Sequence, residues 1–344
     1  MVARAFISGI GGTTLSADER SFLRAADPWG FILFKRNVET PQQVARLTSS
    51  FRDLLGRDAP VLVDQEGGRV QRLGPPHWPS YPPGAAYGRL YDQDRNSGLR
   101  AAWLGARLIA CDLHAVGIDV NCSPLADVPA AGADPVIGDR AYGEVPEKVA
   151  EIARAVAEGS LAGGVLPVVK HLPGHGRAST DSHVALPVVD ASREALQATD
   201  FATFRMLHDL PVAMTAHVVF SAIDPIDPAT TSATLVDEVI RGWIGFHGLL
   251  MSDDISMQAL SGPIGERAHA AIAAGCDLIL HCTGNFAEMQ AVAGAVPRLA
   301  GDAATRAEVA LQRRRAPDRS DIAALRAELA ALLVRVPAPH AVAS

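Results

Sequence analysis

Side chains able to act as acids, bases or nucleophiles collect just after short apolar runs in this chain. Asp64-Gln65-Glu66 follows PVLV, with Arg69 and Arg72 close behind. Lys170-His171 closes VLPVV and leads into Pro173-Gly174-His175-Gly176. His217 follows VAMTA, Ser252-Asp253-Asp254 follows GLLM, and His281 follows DLIL. Asp127 and Gly138-Asp139-Arg140 come in the stretch after GIDVNC. Burying charge in this way is costly unless the groups pair with one another or bind a ligand. Carboxylates, cations and imidazoles at several separate strand ends therefore point to a polar site on one rim.

The segment 170–190, KHLPGHGRASTDSHVALPVVD, is the richest in chemistry. It is a long connection, and long connections in compact domains are commonly functional. Asp181 and His183 are two apart, so both side chains can lie on one side of an extended stretch. A carboxylate on one imidazole nitrogen fixes the tautomer and favours the protonated ring, which makes an acid/base pair able to work near neutrality.

Short, nearly continuous apolar runs must carry these groups. They fall at 5–10, 30–35, 60–65, 117–122, 165–171, 212–218, 248–253 and 276–281. Their character fits strands buried on both faces of a parallel sheet. Helical patterns fill the gaps. Thr40 and Pro41 suit an N-cap and first turn, with Val44, Leu47 and Phe51 on one face. Pro146 opens a second helix, Leu235, Val239 and Trp243 mark a third, and 319–334 reads as the last. Eight alternations predict a single (β/α)8 TIM-type barrel over residues 1–335, with 336–344 as a C-terminal tail. A doubly wound open sheet fits less well, because no GxGxxG turn follows the first strand. The Pro-rich stretch 74–83 reads as an ordered loop.

Lys plus Arg is 31 and Asp plus Glu 38, giving a formal charge of −7, which argues against a nucleic-acid partner. The four cysteines form no CxxC pair and read as free thiols in a reducing compartment. The N-terminus does not read as a signal peptide, no apolar run is long enough to span a membrane, and a cytoplasmic location is expected.

Taken together, VDQEGGRVQRL (63–73), IGDRAYG (137–143), KHLPGHG and DSH within 170–183, MTAH (214–217) and SDDISM (252–257) resemble glycoside hydrolase family 3. The similarity is to its NagZ-type branch of bacterial β-N-acetylhexosaminidases, and ILFKRNVETP (32–41) also fits. It runs from about residue 5 to 300. The resemblance implies a retaining enzyme that removes terminal β-linked N-acetylglucosamine through a covalent glycosyl-enzyme. By position, Asp253 is the implied nucleophile and His183, paired with Asp181, the general acid/base. Asp64, Arg72, Arg140, Lys170 and His171 are the implied sugar-binding residues. The implied substrate is a small molecule, N-acetylglucosaminyl-1,6-anhydro-N-acetylmuramic acid with or without peptide, split during peptidoglycan recycling. No cofactor, metal or membrane is called for, and a monomer is expected. Three positions depart from the family pattern: Leu172 stands where phenylalanine is common, Arg177 follows GHG where aspartate is usual, and His247 stands where aspartate is frequent.

Other readings use the same residues. Asp254 rivals Asp253 as nucleophile, although neighbours on a strand point opposite ways. A metal-dependent hydrolase would draw on His171, His175, His183, His217 and Asp253, but the first run carries no HxH and Pro and Gly break HLPGH. A Schiff-base lyase would use Lys170. A β-glycoside phosphorylase, a broader β-glucosidase and a non-catalytic sugar-binding barrel complete the set. His217 reads as rim structure, His175 as support for the loop, and Asp127 as structural.

Overall fold

The computed structural model describes residues 2–336. Eight parallel strands are β1 (Arg4–Ser8), β2 (Pro28–Leu33), β3 (Val61–Val63), β4 (Val120–Asn121), β5 (Leu166–Leu172), β6 (Val212–Thr215), β7 (Leu249–Asp254) and β8 (Leu278–His281). They close into a barrel in chain order, with β1 hydrogen-bonded to both β2 and β8. Each overlaps one of the eight apolar runs, with shifts of one or two residues at the ends of four of them.

Alternation along the strands divides the core. Ile7, Ile32, Leu62, Val120, Leu166, Val168, Val212, Met214, Leu249, Met251, Leu278 and Leu280 pack into one buried cluster that fills the barrel. The residues between them, such as Phe31, Val61, Val63, Val169, Ala213 and Leu250, pack outward under the helices. Phe31 stacks on Phe51 of the helix Pro41–Leu55 with centroids 3.9 Å apart. That helix begins as expected: Thr40 accepts the Gln43 amide and Pro41 occupies the first turn. Pro146 likewise starts the helix Pro146–Ala162.

The stretch Leu235–Trp243 is helical but wound more widely than its 3.6-residue pattern predicts. Ile244 donates its amide to Val239 O at 2.8 Å, an i to i−5 bond. The wider turn keeps Ile244 on the buried face beside Val239 and Ile240, and Trp243 moves to the half-exposed edge. The last helix is Ile322–Leu333, capped by Asp321, shorter than the 319–334 pattern. Most of the expected tail, residues 337–344, lies outside the described residues. Among the described residues, no helix is long and apolar enough to cross a membrane.

Two small pairings are additional to the barrel. Gln65–Gly67 pairs antiparallel with Val70–Gln71, and Val188–Val189 pairs with Val219–Phe220. Both lie in loops that leave the carboxyl ends of barrel strands.

Candidate active site

A cleft of about 350 Å³ opens at the carboxyl ends of the strands, within the usual size range of small-molecule sites. Asp64, Arg72, Arg140, Lys170, His171, Asp181, His183 and Asp253 all line it.

The floor of the cleft begins where β3 turns into the hairpin. Gln65 is buried, and its side chain accepts the Arg72 and Leu73 amides and donates to Leu73 O. This staple folds the chain back so that Arg72, eight residues on, reaches Asp64 at 3.2 Å. The turn needs glycine at position 67, where φ is +99° and a Cβ would stand 2.3 Å from Pro82 O. Lys170, at the end of β5, lies 2.9 Å from Asp64 and 2.7 Å from Glu66. Arg140 grips Glu66 with two hydrogen bonds of 2.8 and 2.9 Å. Phe34 lies beneath this lattice, with the Arg72 guanidinium 5.4 Å from its ring centre.

Burial works against ionisation of Asp64 and Glu66. The charges of Lys170 and its arginine partners outweigh it, so both carboxylates sit below their ordinary range. Burial also opposes the Lys170 ammonium, yet Asp64 and Glu66 hold its pKa well above the usual lysine value. An amine held this firmly in its charged form is poorly suited to Schiff-base chemistry.

Asp127, fully buried, orients His171. It accepts from His171 Nδ1 at 2.7 Å, leaving the other ring nitrogen for the cleft, and takes the His175 amide at 2.7 Å. Asp253 and Asp254 differ sharply. Asp254 accepts from the Ser256 amide, the Ser256 hydroxyl and the Cys282 amide, which commits its carboxylate to a turn. Asp253 is 7% exposed and takes only the Asp254 amide, on Oδ1 at 2.7 Å. Its Oδ2 has no protein donor among the described residues. Burial raises its pKa, but His171, His217, that amide and Lys170 together bring it below the ordinary carboxylate value. His217 is buried with both ring nitrogens engaged, by Thr230 Oγ1 at 2.7 Å and Asp254 O at 2.9 Å.

The long loop after β5 has a fixed stem and an exposed tip. Gly176 packs so tightly that a Cβ would lie 2.0 Å from Val128 O. Arg177, the departure from the family pattern, turns from the cleft and binds buried Asp200 at 2.6 Å and Thr199 Oγ1 at 2.8 Å. Further on, Asp181 Oδ1 accepts from His183 Nδ1 at 2.8 Å and from the His183 amide at 2.9 Å. The His183 side chain is 64% exposed. Burial raises the Asp181 pKa, but its bonds to His183 bring it down on balance.

Sequence reasoning did not place Glu66 among the site residues, although it lies at the centre of the lattice. Its spacing carried the signal: two residues beyond Asp64 in an extended stretch, it faces the same side. Asp127 gave no comparable signal, because its partners are 44 and 48 residues away. His77 and Trp78 do not line the cleft, and Trp78 packs into the core.

The Glycosyl hydrolase family 3 N terminal domain matches residues 8–315. The chain belongs to glycoside hydrolase family 3. A beta-hexosaminidase of Alkalilimnicola ehrlichii is 40% identical to this family 3 chain over 286 residues, covering 82% of the chain and 81% of that protein. One from Xanthomonas axonopodis pv. citri is 37% identical over 278 residues, covering 80% and 82%. The fold is similar to that of NagZ from Neisseria gonorrhoeae, solved in complex with N-trifluoroacetyl-D-glucosamine. The TM-score is 0.83 at 30% identity, over 98% of this chain and 97% of that one.

Proposed function

We propose that this family 3 chain is a retaining exo-β-N-acetylglucosaminidase. It removes terminal β-linked N-acetylglucosamine from 1,6-anhydro-N-acetylmuramic acid units, with or without peptide, in cytoplasmic peptidoglycan recycling. The catalytic unit is a single barrel, residues 1–335 on the sequence reading, acting as a monomer. One observation carries the reading. A buried carboxylate with an uncommitted oxygen, Asp253, lines the same cleft as an exposed imidazole whose Nδ1 is already bonded to a carboxylate, His183.

In the first step Asp253 Oδ2 attacks the anomeric carbon and the bond to the leaving oxygen breaks. His183 gives that oxygen a proton from Nε2, while Asp181 holds Nδ1–H and balances the charge. In the second step His183 takes a proton from water as the water attacks the anomeric carbon, and the ester to Asp253 breaks. Two displacements at one carbon retain its configuration. An imidazole replaces the more usual second carboxyl group, and with Nδ1 held by Asp181 its Nε2 can give and then take back the proton. Asp64, Arg72, Arg140, Lys170 and His171 bind the glycone, the two arginines and the lysine as donors and Asp64 as acceptor.

Release of nitrophenol from the aryl N-acetyl-β-glucosaminide, measured beside the aryl β-glucoside, tests this reading. Turnover of the amino sugar and a covalent adduct on Asp253 after treatment with a fluorinated N-acetylglucosaminyl fluoride support it. An adduct on another side chain, or no cleavage of amino-sugar conjugates, overturns it.

A further inference from the structure

One continuous set of hydrogen bonds runs from the glycone contacts to the acid/base pair. His171 Nδ1 meets Asp127 Oδ2, and Asp127 Oδ1 accepts the His175 amide. The His175 ring then reaches across the loop, with Nε2 lying 3.3 Å from Ser182 Oγ. Ser182 stands between Asp181 and His183. Its hydroxyl donates to Met257 Sδ at 3.8 Å, so its oxygen accepts and His175 supplies an Nε2–H. The Ser182 carbonyl takes the Ala259 amide at 3.2 Å. Ser182 is 4% exposed, although the His183 side chain beside it is largely in solvent. His175 is equally buried, and its Nδ1 has no protein donor or acceptor among the described residues, so no acceptor draws a hydrogen onto it and the Nε2–H tautomer fits. Burial and His171 push its pKa down and favour that neutral form.

We propose that His175 is a positioning residue: by gripping Ser182 it sets where His183 stands over the departing oxygen. The inference rests on the reading of His183 as acid/base. The loop's other outside ties are remote from the pair: Ala178 O takes the Asp134 amide four residues before Ser182, and Pro187 O takes the Val219 amide five residues after it. The bond at Ser182 is the nearest side-chain tie on the barrel side of the pair, and Met257 and Ala259 close the grip from the segment that follows Asp253. A misplacement of about 1 Å in a reacting group can cost about 10²-fold in rate.

The test compares His175→Ala, His175→Gln, Ser182→Ala and the Ala/Ala double variant. Two substrates are used: a dinitrophenyl N-acetyl-β-glucosaminide, whose leaving group departs unaided, and the methyl glycoside, which needs the acid. The single Ala variants should lose roughly 10- to 100-fold in kcat/KM on the methyl glycoside and far less on the aryl one. His175→Gln, which keeps an N–H donor, should recover much of the loss, and the double variant should be no worse than either single. Equal losses on both substrates, additive losses, or an unaffected Ser182→Ala overturn the proposal. Amide hydrogen exchange supplies a readout independent of activity. Residues 179–187 should exchange faster in Ser182→Ala and His175→Ala while 61–73 stay unchanged, and unchanged exchange in both overturns the grip. Should the unaltered protein cleave no amino-sugar glycoside, the functional reading fails, and exchange still decides whether His175 holds the tip.

Discussion

At the scale of single residues, the decisive contrast is between two adjacent aspartates. Asp254 satisfies three donors, two from Ser256 and one from the Cys282 amide, while Asp253 keeps one oxygen without a protein donor among the described residues. If Asp253 is the nucleophile, Asp253→Ala should lower turnover by more than about 10³-fold in initial-rate assays of the folded variant, since water does not replace an ionised nucleophile at the same point. Asp254→Ala should act chiefly on stability. Its orphaned donors should reduce stability by roughly 1–3 kcal/mol in urea denaturation, with activity per folded molecule far less affected. A loss of turnover confined to Asp254→Ala would exchange the two roles. Replacing His183 by Ala should slow substrates with poor leaving groups by about 10²- to 10⁴-fold and dinitrophenyl glycosides much less, in initial-rate assays.

At the scale of elements, the loop stem explains how an arginine is accommodated where aspartate is usual. Arg177 supplies the counter-charge for buried Asp200, whose Oδ1 already lacks a partner among the described residues. Arg177→Asp should therefore set two carboxylates against each other and destabilise the protein by roughly 3–5 kcal/mol in urea denaturation. Double replacement with Asp200→Asn should recover part of that loss. The elements themselves were plain from sequence wherever a long apolar period set them. All eight barrel strands and the helices opened by Pro41 and Pro146 follow their patterns. What stayed hidden depends on contacts across the chain. The Gln65–Gln71 hairpin is too short for periodicity and is held by one buried amide side chain. The wide turn at Val239 exists because Ile244, not Trp243, finds space in the core. The strand-end residues were readable as a rim, but the pairing of Glu66 with both Arg140 and Lys170 needed the fold to bring positions 66, 140 and 170 together.

At the scale of the whole molecule, the site's charges set a pH dependence of stability. Burial and neighbouring imidazole hold His175 below its ordinary 6.5, and burial alone leads the same shift in His217. Asp64, Glu66, Asp127 and Asp253 lie below the ordinary 3.8 or 4.5 of their side chains. In every case the unfolded chain takes up a proton before the folded one, so stability is full above the unfolded value and falls with pH. Burial raises Asp119 and Asp200, which oppose this trend, but they are fewer. Urea midpoints should decline below about pH 6.5 and more steeply below about pH 4.5. A midpoint that rises on acidification would contradict the assignment. Glu66→Gln should flatten the steep acid limb, having no proton to accept, and cost roughly 3–5 kcal/mol near neutrality by leaving Arg140 without its carboxylate and Lys170 with Asp64 alone.

The division between an interlocked floor and a protruding tip makes the machine modular. On the proposed reading, sugar choice is written into the interlocked set Asp64, Glu66, Arg140 and Lys170, which cannot be edited singly, whereas proton delivery rides on residues 179–187, tied down at Ser182 and again at Pro187. A chimera carrying a foreign tip that keeps this serine would inherit a new taste in leaving groups without changing which ring it accepts.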